Sequence, residues 1–313
     1  METILGIQQI HPAPSCVAFG VFDGVHLGHR AVLRRVTDHA RAAGVRSVVM
    51  TFDPHPDAVL ARGAPPLLLT TLREKAEAIE SGNGPDVLLV ARFDRDLAAM
   101  EAERFVREVL VAAIGARCVV VGPDAAFGRR GEGDFALLRR MGESLGMRTV
   151  EQVGPVVVGG REVSSSAIRA LLLQGDVASA REALGRPYAM GGDVVRGSGR
   201  GRSLGFPTLN LEPDRDKLIP AQGVYACWAA AGKARWQAAV SIGERATFGE
   251  PGLAVEAHLL DFSGDLYGQR AVLTFQERLR DQQRFESPEA LQKQMIEDCE
   301  RTRDALGQGL QGE

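Results

Sequence analysis

The chain has 313 residues, 45% of them hydrophobic and 25% charged, with a formal net charge of -3. This is the composition of a soluble globular protein long enough for two separate cores. It lacks the basic surface that a nucleic acid or an anionic membrane asks of its partner. No apolar run approaches the ~20 residues that span a bilayer. The opening Met1-Glu2-Thr3-Ile4-Leu5-Gly6 has neither the basic region nor the apolar region of a secretory leader. The expected location is therefore the cytoplasm. Cys16, Cys118, Cys227 and Cys299 lie far apart with no CxxC pair, which predicts buried free thiols rather than a zinc site or disulfide framework.

The first half alternates short apolar strands with amphipathic helices. Residues 15–20 read as a strand and 28–43 as a helix, with Val32, Leu33, Val36 and Ala40 on one face and Gly44 as its stop. Residues 45–52 form a continuous apolar strand, and Thr71-Leu72-Arg73-Glu74 is a capping box opening a helix that ends near Gly82. Strands over 87–91, 118–122 and 147–153 alternate with helices over 101–114 and 135–145. Strands apolar on both faces and separated by helices indicate a parallel sheet covered on both sides, with its ligand crevice at the carboxyl ends of the strands. The loops after Phe19, Phe52 and Val121 lie at such ends.

Helices over 164–173 and 176–184 close this half, and Gly185-Arg186-Pro187 marks the domain boundary. Beyond it, residues 188–195, 223–231, 234–242, 254–262 and 269–279 read as strands without long helices between them, which suggests an antiparallel barrel or sandwich. Residues 288–306 form a terminal helix. The expected domains are thus 1–184 and 185–313.

Two regions carry phosphate chemistry. His26 and His29, in Phe22-Asp23-Gly24-Val25-His26-Leu27-Gly28-His29, sit three residues apart at a strand-to-helix transition. That spacing puts both imidazoles on one helix face, beside unpaired backbone N–H groups and the positive end of the helix dipole. A phosphate held there is suited to nucleotidyl transfer. Phe52-Asp53-Pro54-His55-Pro56 presents a stiff wall at the next strand end, or simply a stiff loop. Ser164-Ser165-Ser166 can cap a helix or bind phosphate, with Arg169 one turn on.

The second region is glycine-rich, from Gly197 to Gly205, and leads into Phe206-Pro207-Thr208-Leu209-Asn210. It is neither a P-loop nor GxGxxG, and its glycines alone equally fit a flexible hairpin. On an extended segment Thr208 and Asn210 face the same way, and their neutral oxygens can hold Mg2+ bridged to nucleotide phosphates. Strand alternation around Glu256 puts Val255, Ala257 and Leu259 on one face and Glu256 with His258 on the other. Glu256 is then either an exposed polar residue or a functional base.

Taken together, these residues resemble the bifunctional prokaryotic riboflavin kinase/FAD synthetase family. Its first-half pattern runs GxFDGVHxGH, TFxPHP, GxDFxFG and SSTxIR. The matches are Gly20 to His29, Thr51 to Pro56, Gly122 with Asp124, Phe127 and Gly128, and Ser164 to Arg169. Its second-half pattern matches Gly201-Arg202 to Asn210, Gly223 to Ala226, Val255 to Phe262, Tyr267-Gly268, Leu279-Arg280 and Arg284-Phe285. The chain departs from it at Ala125, Gly131, Ser166, Leu209, Ser241, Ala246 and Gln282.

The resemblance implies a Rossmann-like nucleotidyltransferase domain with a parallel sheet, then an antiparallel β-barrel kinase domain with a terminal helix. It implies two reactions: phosphorylation of riboflavin to FMN by the second domain, and adenylylation of FMN to FAD with release of pyrophosphate by the first. His26, His29 and Glu256 would be catalytic. Gly20, Phe22, Asp23, Gly28, Ser165, Ser166, Arg169, Gly199, Arg202, Gly205 and Pro207 would bind ATP. Pro54, His55, Pro56, Asp124, Phe127, Arg280 and Phe285 would border flavin, and Thr208 and Asn210 would hold Mg2+. The expected partners are the small molecules ATP, riboflavin and FMN, with no nucleic acid or membrane, in a monomer or weak homo-oligomer. Two other readings are a kinase whose first domain has lost adenylylation through Ala125 and Gly131, and a flavin-binding regulator without turnover.

Overall fold

The computed structural model of the chain describes residues 1–60, 65–81, 84–196, 206–244 and 252–307. The chain divides into two compact units, Met1–Ser165 and Ser166–Glu313. Both helices that the sequence assigns to the end of the first half, α7 (Ser165–Leu173) and α8 (Val177–Leu184), fall in the second unit apart from Ser165 itself. Gly185 does end α8, with φ 67°.

The first unit holds a six-stranded, wholly parallel sheet in the order β1-β4-β3-β2-β5-β6. The strands are β1 (Glu2–Leu5), β2 (Ser15–Phe19), β3 (Arg46–Asp53), β4 (Val87–Arg92), β5 (Ala116–Val121) and β6 (Thr149–Gln152). From β2 the chain builds outward through β3 and β4, then returns to the other side of β2 for β5 and β6. The order therefore reverses between β2 and β5, the switch point at which open α/β sheets form a ligand crevice.

Period-2 alternation splits the sheet between two cores. Val17 and Phe19 of β2 pack on one side with Phe105, Val109, Leu110 and Phe127. Cys16 and Ala18 pack on the other with Val32, Leu33 and Val36 of α1 (Leu27–Ala43). Further helices are α2 (Pro56–Leu60), α3 (Leu72–Glu80), α4 (Arg95–Ala99), α5 (Ala102–Arg104) and α6 (Phe135–Ser144). The Thr71 capping box is fully formed at the start of α3. The helix expected over 101–114 is regular only through α5; Phe105–Ile114 widens into a π-helix, with its apolar face still buried. A short hairpin, β7 (Val157–Val158) and β8 (Arg161–Glu162), turns on Gly159 and Gly160, which have φ 56° and 76°.

The second unit is a closed barrel in the order β10-β13-β12-β11-β14-β9, with every neighbouring pair that describes it antiparallel. Its strands are β9 (Ala189–Val195), β10 (Thr208–Pro213), β11 (Gly223–Ala231), β12 (Ala234–Glu244), β13 (Leu253–Leu259) and β14 (Arg270–Arg280). Closure leaves no unpaired sheet edge, and so decides between the barrel and the sandwich. Tyr225 and Phe275 are wholly buried, with ring centroids 5.4 Å apart. The terminal helix α9 (Pro288–Leu306) starts at the N-cap Ser287, whose hydroxyl accepts from Ala290 N–H. Its last turn lays Ala305 and Leu306 on Val224, Ala226 and Leu279. The four cysteines are free and buried, as expected.

Two candidate active sites

In the first unit, β2 ends at Phe19 and the chain makes a tight loop into α1. Phe22, Gly24 and Val25 have φ 51°, 82° and 43°, a conformation that non-glycine residues rarely adopt. The loop is held by Asp23, which is 2% exposed. Its carboxylate accepts from the Leu69 and Thr70 N–H groups at 3.0 and 2.9 Å, while the Thr70 hydroxyl oxygen accepts from Gly24 N–H at 2.9 Å. Asp23, placed by the sequence among the ATP ligands, is thus a buried clamp on the loop.

The loop delivers His26 to the N-cap of α1, where its Nδ1 accepts from His29 N–H at 3.3 Å. This bond leaves Nε2 as the protonated nitrogen of a neutral His26 ring. The two imidazoles stack with centroids 3.5 Å apart and planes 19° from parallel, and Phe22 meets His29 edge-on at 5.2 Å. A Cβ on Gly28 would come within 3.1 Å of the His26 ring, so the glycine makes room for the stack.

Both histidines line a cavity of about 240 Å³ at the switch point. Gly20, Phe22 and Gly28 contribute from the β2 side, Asp124 and Ala125 from the end of β5, and Ser164 and Ser165 from the start of α7. Ser165 Oγ donates to the carbonyl of Asp23 at 2.9 Å, a bond within the first unit. Ser166 is exposed and Arg169 half-buried on α7, within the second unit.

The remaining flavin-side expectations separate. Pro54, His55 and Pro56 follow β3 at the same carboxyl edge of the sheet, but none lines this cavity; His55 Nδ1 accepts from Asp57 N–H at 3.2 Å. Phe127 is 6% exposed and packs edge-on behind Phe19 at 5.6 Å, so it backs the cavity wall rather than forming it. Gly131 has φ 71°, in the left-handed region that favours glycine.

Sequence reasoning missed Lys75. It is 6% exposed, and its Nζ donates to Thr51 Oγ1 at 3.2 Å. Thr51 Oγ1 in turn donates to the Val21 carbonyl at 2.9 Å. Burial pushes the Lys75 pKa down, while the charges of Asp23 and Asp53 work the other way. The signal was its spacing: Lys75 shares the buried face of α3 with Ile79, four residues on.

In the second unit, Asn210 of β10 pairs with Glu256 of β13, and Thr208 pairs with His258. Glu256 is flanked on its other side by Ser241 of β12. Residues directly opposite in an antiparallel pair share a face. Thr208, Asn210, Ser241, Glu256 and His258 therefore form one polar face, all partly exposed, while Val255, Ala257 and Leu259 are buried on the other. His258 Nδ1 lies 3.0 Å from the Pro207 carbonyl, and Phe206 packs edge-on against the His258 ring at 5.1 Å. Beside them is a second cavity of about 240 Å³, lined by Phe206, His258 and Leu260 and, on α9, by Ile296, Glu300 and Arg303. Gly199, Arg202 and Gly205 lie outside the described residues.

Arg280, expected to border the flavin, is anchored by an acidic partner. Its Nε and Nη2 make a two-pronged ion pair with Asp298 of α9 at 2.8 and 2.7 Å, with the two side chains 12% and 5% exposed. Its guanidinium also lies over the Phe285 ring at 5.8 Å. Arg280 thus fastens α9 to β14 and packs against Phe285.

Comparison with known proteins agrees with this two-part arrangement. Residues 8–167 match the FAD synthetase family model, and residues 184–306 match the riboflavin kinase model. The chain is 37% identical over 311 residues to the bifunctional riboflavin kinase/FMN adenylyltransferase of Escherichia coli K12, covering 98% of each chain. It is 38% identical over 294 residues to the protein of that name from Pseudomonas fluorescens, covering 93% of each, and 33% identical over 291 residues to that from Bacillus subtilis, covering 91% and 90%. A crystal structure titled as a macrolide-efflux protein from Streptococcus pneumoniae shares the fold, with TM-score 0.88 and 30% identity over 97% of this chain and 99% of that one. Among the described residues of this chain, no helix is long and apolar enough to cross a membrane. With both family models matched in order and full-length relatives above 30% identity, the chain belongs to the bifunctional riboflavin kinase/FMN adenylyltransferase family.

Proposed function

We propose the following assignment of residues to two activities, riboflavin kinase and FMN adenylyltransferase, with the functional boundary between residues 184 and 185. The observation that carries it is the pairing of Asn210 with Glu256 in one half and the stacked His26–His29 pair on a cavity in the other.

In the kinase half, the carboxylate of Glu256 takes the proton of the ribityl 5′-hydroxyl as the oxygen attacks the γ-phosphorus of ATP. The bond to the β,γ-bridging oxygen breaks, and FMN and ADP leave. A primary alcohol holds its proton far above neutral pH, so a positioned base is needed. Thr208 and Asn210 offer neutral oxygens beside one carboxylate, a set that suits a hard cation completed by phosphate oxygens, and these two residues would hold Mg2+. When bound, the ion neutralises charge on the triphosphate. Gly199, Arg202, Gly205 and Pro207 belong to the nucleotide loop, and Phe285 to the segment that covers the flavin.

In the adenylyltransferase half, a phosphate oxygen of FMN attacks the α-phosphorus of ATP and pyrophosphate departs. Negative charge builds on the α-phosphate. The Nε2–H of His26, the His29 imidazole and the first N–H groups of α1 stand where they can stabilise it. Gly20, Phe22 and Gly28 shape the loop, and Asp23 holds it. Ser165 would contact the triphosphate tail, and Ser166 and Arg169 are assigned to ATP binding from the family pattern alone. Asp124 borders the flavin, with Pro54, His55 and Pro56 further along the same sheet edge. The substrates are small molecules, and the setting is a cytoplasmic monomer or weak homo-oligomer.

The assignment is tested by incubating the protein with ATP and Mg2+ and either riboflavin or FMN, then resolving the flavins. FMN from the first and FAD from both are expected. FMN without FAD would favour loss of adenylylation at Ala125 and Gly131, and no conversion would favour a flavin-binding regulator.

A further inference from the structure

Of the Asp, Glu, Lys and Arg residues described in the first unit, two are buried: Asp23, 2% exposed, and Lys75, 6% exposed. They have opposite sign, and one circuit of hydrogen bonds holds both. The Asp23 carboxylate accepts from the Leu69 and Thr70 N–H groups and, at 3.2 Å, from the Thr70 hydroxyl. Those donors lead directly into α3, which carries Lys75 on its buried face. Lys75 Nζ reaches back to Thr51 Oγ1 on β3 at 3.2 Å, and Thr51 Oγ1 donates to the carbonyl of Val21, two residues before Asp23. Thr51 spends its one proton on Val21, so its oxygen accepts from Lys75. The circuit thus runs from the histidine loop to α3, to β3 and back to the loop.

A buried carboxylate in this loop works against the chemistry beside it. Asp23 stands three residues before His26, which lines the cavity with His29. A negative charge there repels a triphosphate at range, and the dry surroundings screen it poorly. Asp53, the other acid whose charge Lys75 feels, is exposed, and water screens it. Neither Asp23 nor Lys75 lines the cavity, so neither is placed to touch a bound phosphate.

We propose that Lys75 is a positioning residue for adenylylation: its ammonium is the buried counter-charge of Asp23, and by cancelling the negative charge in the histidine loop it lets the ATP phosphates settle against His26 and His29. The proposal rests on that cavity being the ATP site of the adenylyltransferase. Asp23 then shapes the loop through its hydrogen bonds without imposing its charge on the substrate.

The ATP KM of FMN adenylylation, measured on the full chain with Mg2+ and supplied FMN, tests it. Lys75→Met is expected to raise this KM about tenfold with kcat within about threefold, because a charge acting at range on the triphosphate acts alike before and in the transition state. In a chain already carrying Asp23→Asn, the same substitution is expected to change the KM by less than about twofold, since no charge is left to cancel. Lys75→Arg keeps the charge and is expected to stay within about threefold of wild type, which covers the case of Lys75→Met failing to fold. A tenfold rise from Lys75→Met in both backgrounds, a loss confined to kcat, or a tenfold rise in Lys75→Arg would each overturn the counter-charge. The ATP site is read separately: His29→Ala lowers kcat whatever position 75 carries, so either idea can fail while the other stands.

Discussion

Asn210 and Glu256 face one another across the β10–β13 pair, with Ser241 in the same row on the far side of Glu256. Register alone fixes the distance from the proposed metal ligand to the proposed base. Because the side-chain period in a strand is two, a slip of one residue in β10 would bury Asn210 and expose Leu209 and Leu211 in its place. The barrel's closure guards against that slip, since β10 is also paired with β9 through Asn210–Val195 to Pro213–Gly192.

Replacing Asn210 by Ala removes one neutral oxygen from this row and leaves the apolar side of β10 intact. Kinase kcat/KM is expected to fall about 10²-fold, with the Mg2+ needed for half-maximal rate rising. Steady-state rates across a Mg2+ titration check this, and an unaltered Mg2+ dependence would remove Asn210 from the metal site.

Asp23→Asn tests the clamp on the histidine loop. The amide cannot accept from Leu69 and Thr70 N–H at both oxygens, so one buried donor loses its partner. A loss of about 2 kcal/mol in stability is expected, together with weakened adenylylation. Denaturant unfolding followed alongside FAD formation gives both quantities.

Asp298→Asn leaves Arg280 buried beside a neutral side chain. Removing one partner of such a pair costs on the order of 3 kcal/mol. The loosening of α9 is expected to lower thermal stability and, because Arg280 lies over Phe285, kinase activity with it. Melting curves and kinase assays on the variant test the pairing.

Glu151 offers a pH test. Its hydrogen bonds from Arg35, at 2.7 and 2.8 Å, hold its carboxyl below the usual range, with His39 adding a smaller effect. A depressed carboxyl stabilises the fold above its unfolded pKa of about 4.3, and that contribution fades as pH falls through the lower folded value. Wild type should therefore melt higher than Glu151→Gln at neutral pH, and the two should converge in acid. Parallel curves from pH 7 to 3 would contradict it.

Much of this architecture is legible in the sequence because it rests on local periodicity. The face of α1, the capping box of α3 and the alternation around Glu256 are all readable over a few residues. What escaped reading depends on distant partners or on exposure. β1 shows no apolar pattern, since it lies at the sheet edge with Glu2, Thr3 and Leu5 exposed. Asp23 finds its donors more than forty residues away, and Arg280 finds Asp298 on another element. Motif position marks both as ligand-binding residues and says nothing of the protein partners that hold them. Phe127 shifts for a similar reason: its ring is drawn into the cluster with Phe19 and Phe105.

The most direct measurement is a crossed assay on two single variants of the whole chain, Glu256→Gln and His29→Ala, each supplied with ATP, Mg2+ and either riboflavin or FMN. Glu256→Gln should lose FMN formation by about 10³-fold yet still convert supplied FMN to FAD, while His29→Ala should do the reverse. If either variant loses both conversions in equal measure, or Glu256→Gln keeps its kinase activity, two independent sites with these residues at their centres do not describe this enzyme.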